Sequence, residues 1–94
     1  MGKKEEDFYQ RLKEELVQST LWPAEYLYKF IVPTDDTKIA QVQAAFNNMG
    51  AVINTKTSSK GKYTSISINV RMKNPEAVIE KYLQVGEVEG VISL

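Results

Sequence analysis

The residues best suited to chemistry in this chain stand together in one polar stretch, Ser58-Ser59-Lys60-Gly61-Lys62, with Tyr63 directly after it. Two hydroxyls, two ammonium groups and a glycine that lets backbone N–H groups turn inward are the ingredients of a nest for phosphate or another anion. A P-loop differs, because it needs two spaced glycines with a helix directly behind them, and here a strand pattern follows. The competing reading is a solvated turn whose serines bond their own backbone and whose lysines keep a sheet edge from pairing. Lys56, Arg71 and Lys73 extend the basic character to either side. From residue 37 to 75 the chain carries Lys38, Lys56, Lys60, Lys62, Arg71 and Lys73 and no acid, whereas residues 1–36 hold five basic and eight acidic side chains and residues 76–94 one and four. A basic middle in a chain of zero formal net charge points to an anion-binding face. The opposing expectation is that folding sets the acidic ends beside the middle and cancels the field, since charges are screened over about 8 Å at physiological salt.

Cysteine and histidine are both absent. That removes disulfides, thiol nucleophiles, imidazole bases, zinc fingers, haem, iron–sulfur clusters and the Ser/His/Asp triad together. An enzyme without them needs a Lys, Tyr or carboxylate of shifted pKa in a cleft, and no such grouping stands out, so the chain reads as a non-enzyme with no catalytic residue, metal site or cofactor. Asp35 and Asp36 beside Thr34 form a carboxylate pair, but adjacent acids at a helix start serve as caps and dipole partners. Glu87 and Glu89, at alternate positions before Gly90, blunt an exposed edge. Lys60-Gly61-Lys62-Tyr63 faintly resembles the start of the third-strand signature of the RNA-recognition motif, whose outward aromatics stack bases. Only Tyr63 is available for that, because Ser65, Ser67 and Asn69 cannot stack, so non-specific anion contact is the stronger form of the nucleic-acid reading.

These residues need elements to position them. Ninety-four residues at 10.7 kDa, 43% apolar and 26% charged, fit one soluble folded domain. Lys3 to Gln18 reads as an amphipathic helix with Phe8, Leu12 and Leu16 at four-residue spacing, widened by Tyr9 and Val17. Pro23 ends it. Glu25 to Val32 is rich in aromatic and β-branched residues, with Tyr26, Tyr28, Phe30 and Val32 on one parity, and predicts a strand. Thr34 or Asp35 caps a helix carrying Ile39, Val42, Phe46 and Met49, stopped by Gly50. Ala51 to Thr57 and Tyr63 to Met72 predict a hairpin around the polar stretch. In its second strand Thr64, Ile66, Ile68, Val70 and Met72 alternate with Tyr63, Ser65, Ser67, Asn69 and Arg71. Asn74 and Pro75 open a last helix with Val78, Ile79, Tyr82 and Leu83 as its stripe up to Gly86, and Val88 to Leu94 predicts a final strand.

With right-handed crossovers this order gives an α+β fold: a ferredoxin-like βαββαβ sandwich, antiparallel order 4-1-3-2, with two helices on one face and an extra N-terminal helix. Residues 1–20 form the helix and linker, and residues 21–94 the domain. Leu27, Ile31, Val52 and Val91 are expected on the open sheet face, to be covered by the N-terminal helix or by a second copy. No apolar run exceeds three residues, against about 20 for a membrane helix and about 7 to 15 in a signal peptide, so a cytoplasmic protein with no membrane partner is expected.

Trp22-Pro23, Tyr26, Lys29-Phe30-Ile31-Val32-Pro33, Ser58 to Ile68 and Gly86-Glu87-Val88-Glu89-Gly90-Val91 together resemble the YbeD-like family of small bacterial proteins of unknown function. The resemblance runs from Trp22 to the C-terminus and is most specific at Ser-Ser-Lys-Gly-x-Tyr. The chain differs in having Thr57 where a proline commonly precedes the serines, and Lys62 where an asparagine is common. The resemblance implies a cytosolic protein with a ferredoxin-like fold similar to the regulatory ACT domains of amino-acid-metabolism enzymes, and it brings no established activity. ACT domains place a glycine near the start of their first helix to admit a small ligand, where this chain has Pro33-Thr34-Asp35-Asp36. The resulting expectation is a non-catalytic regulatory or protein-interaction module, a homodimer or the partner of a larger protein. The alternative is an anion or nucleic-acid binder using Ser58, Ser59, Lys60, Gly61, Lys62 and Tyr63 with Lys56, Arg71 and Lys73.

Overall fold

The computed structural model describes residues 3–94, with side chains from Asp7 onward. The elements are α1 (Lys3–Ser19), β1 (Ala24–Pro33), α2 (Asp36–Ala44), β2 (Val52–Thr57), β3 (Tyr63–Met72), α3 (Pro75–Val85) and β4 (Ile92–Ser93). The four strands make one antiparallel sheet in the order β2-β3-β1-β4. Its centre is the pairing of β1 with β3, in register over ten residues from Ala24 opposite Met72 to Pro33 opposite Tyr63. Because side chains alternate across a strand, that register puts Tyr28, Phe30 and Val32 beside Ile68, Ile66 and Thr64 on one face, and all six are buried.

Helices α2 and α3 cover this face with Val42 and Phe46 from the first and its C-terminal turn, and Val78, Tyr82 and Val85 from the second. Both starts are capped as their sequences dictate. The Asp35 carboxylate accepts the Thr37 and Lys38 amides at 2.8 and 3.2 Å, and the Asn74 side-chain oxygen accepts the Ala77 amide at 2.8 Å with Pro75 behind it. Each cap satisfies donors that the helix itself leaves orphaned.

Several boundaries depart from the pattern. The apolar spacing carries α2 to Met49, but the helix ends at Ala44. Tighter bonds from Phe46 N–H to Gln43 and from Asn47 N–H to Ala44 take over, and Asn48 enters the left-handed region at φ 63°, ahead of Gly50 at φ 69°. Asparagine competes with helical backbone bonding and tolerates that region, so Asn47-Asn48 stops the helix before the glycine does. In α3 it is Val85 that is buried and Leu83 that faces water. The predicted last strand shrinks to two residues, because Gly86, Val88 and Val91 amides bond to Tyr82, Val85 and Val88 carbonyls and wind residues 86–91 into successive turns. Val91 thereby packs against the core, and Ile92 takes the place opposite Ile31. Gly90 sits in this segment at φ +83°, where a Cβ would lie 3.0 Å from the Pro33 ring.

The face assignment has a direct test. Ile68 is fully buried and its neighbour Ser67 points to the other side. Ile68→Asp places an unpaired carboxylate in the core and is expected to cost several kcal/mol, while Ser67→Asp stays within about 1 kcal/mol. Denaturant midpoints measured side by side check this, and equal midpoints would reverse the two faces.

Candidate functional site

The polar stretch forms the β2–β3 turn and is exposed throughout. It closes on itself: Ser58 N–H donates to the Tyr63 carbonyl at 2.8 Å, Gly61 N–H to the Ser58 carbonyl at 2.9 Å, and Tyr63 N–H to the Ser58 hydroxyl oxygen at 3.3 Å. Gly61 reaches φ +73°, which the turn requires and which an L side chain adopts only with strain. The Lys62 carbonyl accepts the Thr34 amide at 2.9 Å, and the Thr34 and Thr64 hydroxyls meet at 3.0 Å, so the turn is braced against the end of β1. Ser58 is thus engaged within the loop. The Ser59 hydroxyl and the Lys60 and Lys62 ammonium groups have no partner among the described residues and project to solvent.

The other basic residues are not gathered at this turn. Lys56 pairs across from Ser65 on the open face, but Arg71 lies opposite Glu25 at the far end of β3, and Lys73 follows it. With about 3.3 Å per residue, Tyr63 and Arg71 stand about 26 Å apart along the strand. The cations therefore make two separate patches, Lys60 and Lys62 at one end and Arg71 and Lys73 at the other, with Lys56 between. Of the six cations in the middle segment, Lys38 alone makes an ion pair among the described residues, to Glu89 at 3.9 Å, while Arg71 stands across from Glu25.

The open face itself is mixed. One row across it reads Val52, Asn69, Leu27, the next Asn54, Ser67, Lys29, and the next Lys56, Ser65, Ile31, Ile92. Leu27 is 51% exposed, Val52 62% and Ile92 52%. Helix α1 does not cover them. Instead it packs along α3, with the Tyr9 ring 6.1 Å from Tyr82, Lys13 at 4.0 Å from Glu76, and the Trp22 indole N–H donating to the Leu16 carbonyl at 3.0 Å. Tyr9, Leu12 and Leu16 are the residues it spends on this packing, so its stripe is used on the helical side of the molecule.

A family profile described as "Protein of unknown function (DUF493)" matches residues 17–94. The chain belongs to the DUF493 family. Two curated relatives, each named "UPF0250 protein", agree with this: one from Shewanella piezotolerans (strain WP3 / JCM 13877) is 33% identical over 73 residues, and one from Shewanella halifaxensis (strain HAW-EB4) is 29% identical over 73 residues. In both cases the similarity covers 74% of this chain and 83% of the relative. No solved structure matches the chain. The DUF493 match takes in the sheet, the Ser58–Tyr63 turn, α2 and α3, and begins only at the last turn of α1, so most of the packing surface that α1 adds lies outside it.

Sequence reasoning passed over one constellation. Tyr26, Tyr28, Tyr82 and Tyr9 form a chain of ring contacts, with Tyr26 and Tyr28 edge to face at 4.8 Å and Tyr28 and Tyr82 at 4.9 Å. The hydroxyls of Tyr26 and Tyr82 bond each other at 2.8 Å, and Tyr28 donates to the Val78 carbonyl at 3.1 Å. A legible signal existed, since a tyrosine at an inward position must find a partner for its hydroxyl. The arrangement locks β1 to α3. Burial first, and then nearby Tyr26, pushes the Tyr28 phenol far above its ordinary value, and burial followed by the hydrogen bond to Tyr26 does the same for Tyr82.

The sign of the resulting pH dependence follows. A phenol with a raised pKa in the folded state is held protonated there, so its contribution is fully present below the unfolded value of about 10 and is lost as pH climbs beyond it. The melting temperature is expected to fall steeply above about pH 10. Phenolate absorbance is expected to show part of the tyrosine signal appearing only together with the loss of far-ultraviolet circular dichroism. Complete tyrosine ionisation in a still-folded chain would contradict the buried placement of Tyr28 and Tyr82.

Proposed function

We propose that this protein is a non-catalytic, ferredoxin-like and ACT-like module of the cytoplasm, with residues 21–94 as the domain, that regulates by binding protein through the open face of its sheet. The observation that carries this reading is the exposure of Leu27, Val52 and Ile92 together with Ile31 on a face that α1 leaves uncovered. Exposed apolar side chains gathered on one face of a small domain support an interaction surface, here interleaved with Asn69 and Lys29. Two features support the non-catalytic part: the strongly shifted phenols are committed to core hydrogen bonds, and Asp35 serves its helix. The simplest occupant is a second copy, and a larger protein is the other. In sedimentation velocity the intact chain is expected to run as a dimer and Ile31→Lys as a folded monomer. A monomer whose sedimentation Ile31→Lys leaves unchanged would remove self-association through this face.

A second reading rests on the unpaired cations. Lys56, Lys60, Lys62, Arg71 and Lys73 make no ion pair among the described residues, and Lys60 and Lys62 at the exposed hairpin end are free to contact phosphates. If it does, affinity for single-stranded RNA falls steeply between about 50 and 200 mM salt, and the double change Lys60→Glu with Lys62→Glu flattens that slope. Absence of binding at low salt, measured by fluorescence anisotropy, would dismiss the reading.

A further inference from the structure

Among the described residues the outer edge of β1 is mostly unpaired. β3 pairs all ten residues of β1 on one side, but β4 pairs only Phe30 and Ile31 on the other, followed by the Leu94 amide donating to the Lys29 carbonyl at 2.9 Å. That last bond fixes which backbone groups face outward. A residue's N–H and C=O point to the same side of a strand and alternate along it, so Lys29, Leu27 and Glu25 direct theirs away from β3. Beyond Lys29 the amide and carbonyl groups of Leu27 and Glu25 have no backbone partner among the described residues, and both residues are exposed. Four groups in strand geometry, continuous with an existing ladder, are a template for one more strand.

The space beside this edge is shaped for side chains. A trough of about 230 Å³ opens there, lined by Phe8 and Leu12 of α1 together with Tyr26, Tyr82 and Leu94. It lies on the side of β1 to which Tyr26 points, below the unpaired stretch. Because α1 is drawn toward α3, its Phe8 remains exposed over this trough instead of sealing the edge.

We infer that Glu25 to Leu27 of β1, with the trough under it, docks an extended segment of another polypeptide, which adds to the sheet in line with β4. Only a peptide backbone satisfies two outward amides and two outward carbonyls at strand spacing, and the two sides of the added strand have opposite requirements. Residues opposite Tyr26 and Tyr28 turn to the side of the sheet on which the apolar trough opens at Tyr26. Residues opposite Leu27 and Glu25 lie on the open face, where a cation opposite Glu25 is favoured. The ligand is therefore an extended, alternating apolar–polar segment with a basic residue at one polar position. This surface is the edge of the sheet, distinct from the broad face of the proposed function, and it stands or falls separately.

The probe is the acetylated and amidated pentapeptide Val-Thr-Leu-Lys-Val, titrated into the isotope-labelled intact chain at millimolar concentration and read by amide chemical shifts and hydrogen exchange. The expected result is saturable shifts and gained protection at the Leu27 and Glu25 amides. An analogue N-methylated at its Thr and Lys, the two positions that must donate to β1, is expected to bind at least about tenfold more weakly. The order-swapped peptide Thr-Val-Lys-Leu-Thr, which turns its apolar side chains to the open face, is expected to lose affinity as well. Equal binding of the N-methylated analogue, shifts centred on Ser67 and Asn69, or no saturable shift at the β1 edge would each overturn the inference. None of these results depends on whether the chain dimerises, so the outcome is separable from the Ile31→Lys experiment.

Discussion

The pairing of β1 with β3 is the constraint on which the rest of the molecule hangs. Ten residues on each strand meet in register, and with a side-chain period of two a slip by one residue would turn every inward group outward. Tyr28, Phe30, Ile66 and Ile68 have to face the same way, and once they do, α2 and α3 have an apolar surface to cover on one side only. The opposite side is then left with Leu27, Ile31, Lys29, Ser65 and Ser67, a mixture neither polar enough to be inert nor apolar enough to be a core. The functional questions about this protein arise from that leftover face and from the edge beside it.

Strand β3 was readable almost residue by residue, because Thr64 to Met72 alternates without a break and nothing nearby competes with the pattern. The caps at Asp35 and Asn74 were readable for a local reason, a side chain bonding an amide two or three residues on. What could not be read was set by partners distant in sequence. The end of α2 depends on Asn47-Asn48 and on Lys81, whose ammonium donates to the Ala45 carbonyl at 2.6 Å and sits 5.6 Å from the Phe46 ring centre. The apolar spacing through Met49 shows neither. Val88 to Leu94 has the composition of a strand, yet successive turn bonds consume its first half. The sequence offers α1 as a cover for the open sheet face, and contact between Tyr9 and Tyr82, 73 positions apart in the chain, sets it against α3 instead.

The candidate site divides along the same line. The turn at Ser58 to Tyr63 is local, and its place between the two hairpin strands was legible. Its relation to Arg71 and Lys73 was not, because residues near in sequence are set far apart once β3 is extended. A basic segment in a sequence becomes a basic patch only if the backbone folds back within it, and this one folds back at the hairpin, leaving its last two cations at the other end of the sheet.

The close approach of Gly90 to Pro33 bears on how such a chain can change over generations. Two separate obstacles oppose a side chain at position 90: the proline ring at 3.0 Å, and a φ of +83° that persists whatever stands opposite. Replacing Pro33 by a smaller residue removes the first obstacle and leaves the second, so it opens no path to an alanine at 90. Relaxing the backbone turn removes the second and leaves the first. The two positions are consequently bound in a non-additive way, in which neither single step is permissive for the other. Drift at this corner is confined unless the Gly86–Val91 turns rearrange as a unit. Such a rearrangement would also reset the ladder between β4 and β1, and with it the length of open edge that β1 presents.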